Sequence, residues 1–392
     1  MAFEPRTQPT PSGARGGVLS FWGITLRKRV EIGLLYSREG NYARISEACR
    51  QGALSAIDAI NSAPESGLEL NAIERDPRGN IDLYQPLCTE ILRETSARHV
   101  VGCVTSWSRK EVIPALEKAG GTLWYACPYE GFEASDSVVY THACPNQHLL
   151  PLLSWTFPRY GRRGYLTGSN YIWGWEMNRV ARDQIAAAGG AVLGERYLPI
   201  GDVDVTRIID EIRATRPDFI LNSLIGPSSY RFLQAYAALG REDAHFTAAT
   251  CPVLSCNLTE CELGEIGAAA EGLISVGPYF NEAQAVLPGA AASFGSSLEA
   301  AAYSAVFMLA GLLAQNQKHA SANLGELLAG SGAAGSGIDP ETHHVALPVL
   351  IAQVEDGQFK VQDRWPEVAP DPYLSHRDRV PAVHRPRLSV VR

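Results

Sequence analysis

The apolar positions of this chain recur with two alternating spacings. Residues 30–36 form a short continuous apolar run, which is typical of a buried parallel strand. From Ile45 to Asn61 apolar residues recur every three or four positions, which predicts an amphipathic helix. This rhythm predicts a doubly wound α/β unit. Its further predicted strands lie at 68–76, 99–104 and 122–127, and its further predicted helices lie at 82–95 and 109–119.

A second series with the same rhythm follows the apolar segment 138–144. The last third of the chain returns to a long helix at 298–315 and to an antiparallel pair at 349–354 and 359–362, joined by the turn dipeptide Asp356-Gly357. Because 392 residues exceed the size of one hydrophobic core, we predict an α/β fold with two doubly wound, Rossmann-like lobes joined by a hinge. The predicted strands of the second series are 164–168, 191–198, 219–225 and 245–249, and its predicted helices are 149–160, 174–188, 205–215 and 230–238.

The composition indicates a folded protein without a general affinity for polyanions. Hydrophobic residues make up 46% of the chain, and the formal net charge of −8 provides no attraction to nucleic acid or anionic lipid. The basic stretch 376–392 is the exception, and we expect it to be a solvated tail. Most of the eight cysteines lie in apolar segments, so we predict buried free thiols, no metal and no cofactor.

The first 29 residues are predicted to be an extension outside the core. The apolar run 17–26 follows two arginines and superficially resembles the core of a signal peptide. Residues 27–29, Arg-Lys-Arg, stand where a small-residue cleavage site would be needed, and the first predicted strand begins directly afterwards. We therefore expect a cytoplasmic location, and we expect no other stretch to span a bilayer.

Motifs of enzymes give little support for catalysis. The glycine-rich segment 330–335 has the spacing of a dinucleotide fingerprint, but it follows a helix-like segment and precedes Pro340. The sequence contains no phosphate-binding loop, no nucleophile elbow and no His-Glu-x-x-His motif. An amidohydrolase with Cys127 as nucleophile and Glu130 nearby is an alternative, yet no histidine is obviously placed to activate that thiol. We therefore predict that the protein is not an enzyme.

Polar and aromatic residues cluster where the predicted strands end. Open α/β sheets bind ligands beyond the carboxyl ends of their parallel strands. Thr105, Ser106 and Trp107 follow one strand, residues 125–131 follow the next, and residues 169–176 follow a strand of the second lobe. Aromatic walls with few polar groups are typical of a small-molecule pocket, so we predict a ligand site at these strand ends.

Each of these residues also has a purely structural interpretation. Ser106 could act only as a helix cap, Tyr129 could pack between the lobes, and Trp175 could belong to the core. Their joint position at the strand ends is the stronger indication of a site.

Several segments carry a family resemblance, and the most specific is Pro128-Tyr129-Glu130-Gly131-Phe132-Glu133. Others are Ile32 to Ser37, Ser108 to Lys110, Pro145 to Gln147, Gly168 to Ile172, Gly277 to Phe280 and Pro370 to Tyr373. Together they resemble the type I periplasmic-binding-protein fold family, and specifically the cytoplasmic amide sensors that negatively regulate bacterial aliphatic amidase operons. The segment 128–133 is also similar to urea and short-chain-amide binders of transport systems.

The resemblance implies the assignment of the chain to lobes and the places where it crosses between them. Crossings are expected near residues 146–149, 273–279 and 344–349. The implied division is an N-terminal extension at 1–29, a first lobe at 30–147 plus 276–346, a second lobe at 148–275 plus 347–375, and a basic tail at 376–392.

The resemblance also implies an amide held in the cleft between the lobes by a serine at Ser106 and by groups at Tyr125, Cys127, Tyr171 and Trp173. This chain departs from the family pattern in having Val104 and Trp173 where tyrosine is usual and Cys127 where threonine is usual. A less polar pocket, and a ligand other than acetamide, are therefore expected. The full set of predicted ligand-binding residues is Val104, Thr105, Ser106, Tyr125, Cys127, Pro128, Tyr171, Trp173 and Gly226.

The functional prediction is a sensor that closes on a small uncharged amide or urea-like molecule and regulates a partner protein. The resemblance implies that this partner is an RNA-binding antitermination regulator of an amidase-type operon, held inactive until the ligand arrives. Direct nucleic-acid binding and membrane insertion are not expected, whereas a homo-oligomer is compatible with the sequence. The alternative is a substrate-binding component of a urea or short-chain-amide ABC transporter.

Overall fold

A computed structural model describes residues 27–63, 66–282, 293–315, 323–329 and 336–376. The predicted N-terminal extension, the basic tail and the glycine-rich segment 330–335 lie wholly or almost wholly outside these residues. The strands are β1 Lys28–Leu35, β2 Leu68–Arg75, β3 His99–Gly102, β4 Thr122–Tyr125, β5 Val138–Tyr140, β6 Arg163–Ser169, β7 Ala191–Leu198, β8 Phe219–Ser223, β9 Val253–Ser255, β10 Ile274–Gly277, β11 Leu347–Glu355 and β12 Gln358–Val368. The helices are α1 Ala43–Ser62, α2 Tyr84–Glu94, α3 Ser106–Ala119, α4 Leu149–Tyr160, α5 Ile172–Ala187, α6 Thr206–Thr215, α7 Pro227–Glu242, α8 Glu260–Ile266, α9 Ser297–Gln315 and α10 Leu324–Ala329.

The first sheet contains five parallel strands in the order β2-β1-β3-β4-β5. Strands β3 and β4 are buried along their whole length, as continuous apolar strands covered on both faces should be. Helices α1, α2, α3 and α9 pack on this sheet and on one another. The alternation of strand and helix therefore produces a doubly wound first lobe.

The second sheet contains seven strands in the order β12-β11-β10-β9-β8-β6-β7. Strands β7, β6, β8, β9 and β10 are parallel, whereas β11 and β12 form an antiparallel edge. The predicted turn at Asp356-Gly357 joins that edge pair, and both residues adopt positive φ angles of 52° and 75°. The predicted α/β class with two doubly wound lobes is confirmed.

Helix α9 crosses back onto the first lobe and packs against α1. Its approach is so close that a Cβ atom on Gly52 of α1 would lie 2.0 Å from the Glu299 carbonyl oxygen, so this position requires glycine. Helix α9 is long and apolar enough to cross a bilayer, contrary to our expectation that no such stretch follows residue 26. However, 72% of the most apolar stretch of α9 is buried inside the protein. Its high hydropathy is therefore explained by its position as a core helix.

One predicted strand of the second lobe is wrong. Residues 245–249 do not form a strand, because Ala244–Phe246 is a 3-10 turn whose start is capped by the Asp243 side chain, which accepts a hydrogen bond from the His245 N–H at 2.9 Å. The strand at this place in the sheet is β9, at Val253–Ser255. The prediction also missed α8 and β10, which are too short to show a clear apolar period.

The two lobes meet through contacts that include α1 of the first lobe and α8 of the second. Arg44 of α1 forms an ion pair with Glu265 of α8. At a second point Gly226, which precedes α7, lies directly against Asn41, and a Cβ atom on Gly226 would stand 2.1 Å from the Asn41 carbonyl oxygen. The structure therefore has a closed cleft.

Replacing Gly226 by alanine should disfavour this closed arrangement. The substitution places a methyl group against Asn41 and is strained at φ +56°, so we expect ligand affinity to fall about tenfold or more. Titration calorimetry measures the affinity. The matched control is Gly189→Ala, which has a similar positive φ of +72° but no atom within 4 Å of the added carbon. An equal loss of affinity in both variants would contradict closure at Gly226.

A buried carboxyl group next to the lobe contact should make stability depend on pH. Burial raises the pKa of Glu262 from 4.5 to about 7, although Tyr230 donates a hydrogen bond to it at 2.9 Å. The pKa of Glu262 is higher in the folded protein than in the unfolded chain, so protonation of this carboxyl group favours folding. The stability that it contributes is fully present below pH 4.5 and is lost as the pH rises through about 7.

In Glu262→Gln this loss should disappear. The free energy of unfolding of the variant, relative to that of wild type, should therefore rise by up to about 3 kcal/mol between acidic and mildly basic pH. Denaturant unfolding at several pH values checks this. Glu117→Gln, at an exposed position on α3, serves as the control. Parallel pH profiles for wild type and Glu262→Gln would contradict the assignment.

Candidate ligand-binding site

A small cavity lies between the lobes, at the carboxyl ends of strands from both sheets. The volume that the centre of a water molecule can occupy is about 30 Å³. All the empty space of the cavity, including the solvent-filled mouth, amounts to about 360 Å³. A single water needs roughly 10–15 Å³ by the first measure, so the cavity accepts a small molecule in this closed state. Its lining residues are Ile45, Val104, Thr105, Ser106, Tyr125, Cys127, Pro128, Tyr171, Trp173, Ile225, Asn257 and Leu298.

The first lobe contributes the start of α3 to this cavity. Thr105 is the N-cap: its side chain accepts from the Ser108 N–H at 3.1 Å, and the Ser108 side chain in turn accepts from the Thr105 N–H. This capping box leaves Ser106 as the first helical residue, with a hydroxyl that is free of capping. The interpretation of Ser106 as a cap is therefore wrong, because its neighbour performs that role.

The second lobe contributes the start of α5. Tyr171 precedes the helix and packs its ring against Trp107 of the first lobe, with ring centroids 5.3 Å apart. Trp173 is buried, and its ring lies 6.0 Å from that of His148. Trp175, by contrast, is 45% exposed and belongs to neither the core nor the cavity. Aromatic side chains from both lobes thus close the ligand space.

Two buried hydrogen-bond donors at the cavity have no partner in the described part of the protein. These are the Tyr125 hydroxyl from the first lobe and the Trp173 indole N–H from the second. Burial raises the pKa of Tyr125 well above its ordinary value, so the hydroxyl keeps its proton. Leaving such groups unsatisfied costs about 1–3 kcal/mol each, which a ligand with hydrogen-bond acceptors would relieve.

The rest of the lining is mostly apolar or weakly polar. Cys127 lines the cavity, and its sulfur lies 3.7 Å from that of Cys49 on α1. All eight cysteines are free thiols, seven of them buried. Val104 and Leu298 provide aliphatic contacts. Among the described residues that line the cavity, none carries a charge, and no cluster of three metal-binding side chains occurs in the described chain.

A charged network lies directly behind Ser106. The Ser106 hydroxyl donates a hydrogen bond to Glu130, which is buried and accepts from the Arg109 guanidinium at 3.0 Å. Glu133 accepts from the same guanidinium at 2.7 Å and also pairs with Lys110. Two positive and two negative side chains therefore balance behind an uncharged cavity.

Aromatic rings enclose the buried guanidinium of this network. Its central carbon lies 4.7 Å from the ring centre of Tyr125 and 4.8 Å from that of Tyr129. Tyr129 thus packs within the first lobe, against the stacked ring of Tyr140, and not between the lobes as one interpretation of the sequence had it.

The pKa values in the network reflect the competition between burial and ion pairing. Burial alone would lower the pKa of Arg109, but the charges of Glu130 and Glu133 outweigh it and raise that pKa. Burial also opposes ionisation of Glu133, yet Arg109 and Lys110 lower its pKa to about 2. Arg109 and Glu133 therefore stay ionised across the physiological range.

The structure brings eight of the nine predicted binding residues to one cavity. These are Val104, Thr105, Ser106, Tyr125, Cys127, Pro128, Tyr171 and Trp173. Gly226 lies beside the lining residue Ile225 and contacts Asn41, so it serves the approach of the lobes instead.

Four lining residues escaped the sequence analysis. Asn257 follows strand β9. The sequence predicted a strand at 245–249 instead, so Asn257 did not lie at a predicted strand end. Ile225 lies beyond the end of β8, but the prediction placed it inside a strand at 219–225. Ile45 and Leu298 lie on helices, where their apolar spacing indicates only a buried face.

Removing either unpartnered donor should weaken binding, and at Tyr125 it should do so without destabilising the free protein. In Tyr125→Phe and Trp173→Phe a ligand acceptor loses its partner, so we expect affinity to fall by about 1–3 kcal/mol. The melting temperature of the free Tyr125→Phe variant should stay equal or rise, because an unsatisfied buried hydroxyl is removed.

The matched control is Tyr36→Phe, which removes another unpartnered buried hydroxyl at a residue outside the cavity lining. Calorimetric titration and thermal unfolding measure the two quantities. Equal affinity for wild type and both cavity variants would show that the donors do not face the ligand.

The fold is shared with known ligand-binding proteins. A solute-binding protein of an ABC transporter from R. palustris, in complex with 4-hydroxybenzoate, is 19% identical, with a TM-score of 0.72 over 87% of this chain and 98% of its own. LivJ, the branched-chain amino acid transporter substrate-binding protein from Streptococcus pneumoniae, in complex with isoleucine, is 15% identical, with a TM-score of 0.71 over 88% of this chain and 100% of its own.

The family model described as a periplasmic binding protein domain matches residues 30–379, which include every residue that lines the cavity and both sheets except for the first two residues of β1. The structural neighbours have the same two-lobed type I architecture. This chain belongs to the periplasmic binding protein family.

Proposed function

We propose that this protein binds a small, uncharged, amide-like molecule without converting it. The observation that carries the proposal is the pair of unpartnered donors, the Tyr125 hydroxyl and the Trp173 indole N–H, at a cavity whose described lining residues carry no charge. An amide carbonyl accepts hydrogen bonds from such donors, and an amide N–H can be donated to a hydroxyl such as that of Ser106. A primary amide therefore matches both kinds of polar group.

The absence of charge in the lining argues against the ligands of the structural neighbours. Those proteins bind 4-hydroxybenzoate, benzoate or isoleucine, each of which carries a carboxylate. A buried carboxylate requires a cation or several hydrogen-bond donors to offset its desolvation. The guanidinium of Arg109, which lies behind Ser106, already pairs with Glu130 and Glu133.

Ligand binding is coupled to closure because the donors come from opposite lobes. Tyr125 ends a strand of the first sheet, whereas Trp173 lies on α5 of the second lobe. A ligand that accepts hydrogen bonds from both favours the closed state over the open one. Swinging the population from about 1% to 99% closed takes roughly 5.5 kcal/mol of differential binding, which a fully enclosed small molecule can supply.

The role we propose is that of a cytoplasmic sensor whose closure is reported to a partner protein. Support comes from the segment 128–133, which resembles that of cytoplasmic amide sensors. By the same resemblance the partner is an antitermination regulator that is released when ligand binds.

Delivery of the ligand to a membrane transporter is the second candidate role. It is favoured by the structural neighbours, which include solute-binding proteins of ABC transporters. Mass spectrometry of the protein isolated from its own cells separates the two roles. A chain that retains Met1 or Ala2 at its start fits the sensor, whereas removal of the N-terminal segment favours transport.

The ligand class is tested by thermal unfolding against short amides, urea, benzoate and branched-chain amino acids. A ligand selective for the folded state raises the melting temperature, so neutral amides should produce a saturable rise. Benzoate, and propionate as the acid that matches propionamide, should produce none at equal concentration. A rise with benzoate or isoleucine alone would contradict the amide proposal.

A further inference from the structure

The carboxylate of Glu130 lies where it can influence which ligands bind in the cavity. Its carboxylate is buried at 2% exposure and does not itself line the cavity. One oxygen accepts from Arg109 at 3.0 Å, and the other accepts the Ser106 hydroxyl proton. Ser106 does line the cavity, so the charge of Glu130 lies one side chain away from the ligand.

We propose that Glu130 is a specificity-determining residue that selects neutral N–H donors and rejects carboxylates, by fixing Ser106 as a hydrogen-bond acceptor. This inference rests on the proposed amide function and deepens it. A carboxylate paired with arginine can only accept hydrogen bonds, so the single proton of Ser106 is directed at Glu130. The remaining lone pairs of the Ser106 oxygen are then the groups available to a ligand, and only a donor can use them.

The start of α3 makes such a selecting group necessary. The first N–H groups of a helix have no partner within it, and the positive end of the helix dipole favours anions. Ser106 is the first residue of α3, so this end of the cavity would otherwise accept a carboxylate as readily as an amide. The negative charge of Glu130 behind Ser106 opposes the anion and leaves the neutral amide unaffected.

The charge balance predicts what happens when Glu130 is neutralised. Arg109 and Lys110 then face only Glu133, so the network gains one positive charge next to the cavity. The amide side chain of a glutamine at this position can also donate to Ser106, which frees the serine proton for a ligand acceptor. Both changes favour a carboxylate ligand.

The test compares propionamide with propionate, which have the same shape, by titration calorimetry on wild type and Glu130→Gln. Wild type should prefer propionamide by about a hundredfold or more, and the variant should reduce that ratio at least about tenfold. The control is Glu133→Gln, which removes the same charge from the same guanidinium but at a residue that bonds Lys110 and Tyr140 instead of Ser106. It should reduce the ratio clearly less than Glu130→Gln does, because it adds the same net charge but leaves the Ser106 proton directed at Glu130.

The outcomes separate this inference from the function on which it rests. If wild type binds no neutral amide, the proposed function fails. If wild type prefers propionamide and Glu130→Gln keeps the full preference, or if Glu133→Gln loses it equally, the role of Glu130 is overturned.

Should Glu130→Gln fail to fold in a thermal-unfolding check, Ser106→Ala decides the question. That variant keeps the charge of Glu130 but loses the Ser106 oxygen as an acceptor for the ligand, together with its hydrogen bond to Glu130, so propionamide affinity should fall about tenfold with no gain for propionate. Unchanged propionamide affinity, or new propionate binding, would overturn the inference.

Discussion

The buried guanidinium of Arg109 is the constraint around which the first lobe and its ligand cavity are organised. It is fully buried, pairs with Glu130 and Glu133, and lies beneath the rings of Tyr125 and Tyr129. A charge in such a place is tolerated only while its partners remain, since removing one partner of a buried ion pair commonly costs about 3–5 kcal/mol. The positions of α3 and of the loop after β4 are therefore tied to each other.

This network also explains how an uncharged cavity can stand next to four charged side chains. The charges of Arg109 and Lys110 are compensated by those of Glu130 and Glu133, and the Ser106 hydroxyl connects the network to the ligand space by a hydrogen bond. In our proposal, the charge of Glu130 influences the ligand by fixing the direction of the Ser106 hydrogen bond. The second lobe adds the unpartnered indole N–H of Trp173, so under the proposed function a ligand that bonds donors of both lobes would favour closure.

Much of this architecture follows from local patterns in the sequence. Buried parallel strands such as β3 and β4 are continuous apolar runs, and polar residues after them mark the ligand edge of a sheet, which is why eight predicted residues meet at the cavity. The wrong strand at residues 245–249 had a local cause, because the sequence of a capped 3-10 turn there resembles that of a short strand. Asn257 was missed as a consequence.

Other features depend on distant parts of the chain and left no local signal. Arg109 and Glu133 are separated by 24 positions, and their pairing depends on how α3 packs beside the loop after β4. The close approach of Gly226 to Asn41 joins different lobes, and no spacing rule relates those residues. Burial of α9 against α1 likewise turns an apolar helix that satisfies the length of a membrane span into part of a core.

The most direct test of the account is a crystal structure of the protein with bound propionamide. The account predicts that the amide nitrogen lies within hydrogen-bond distance of the Ser106 oxygen, and that the carbonyl oxygen faces the Tyr125 hydroxyl or the Trp173 indole N–H. The opposite orientation, with the carbonyl oxygen on Ser106 and both donors still unpartnered, would contradict it.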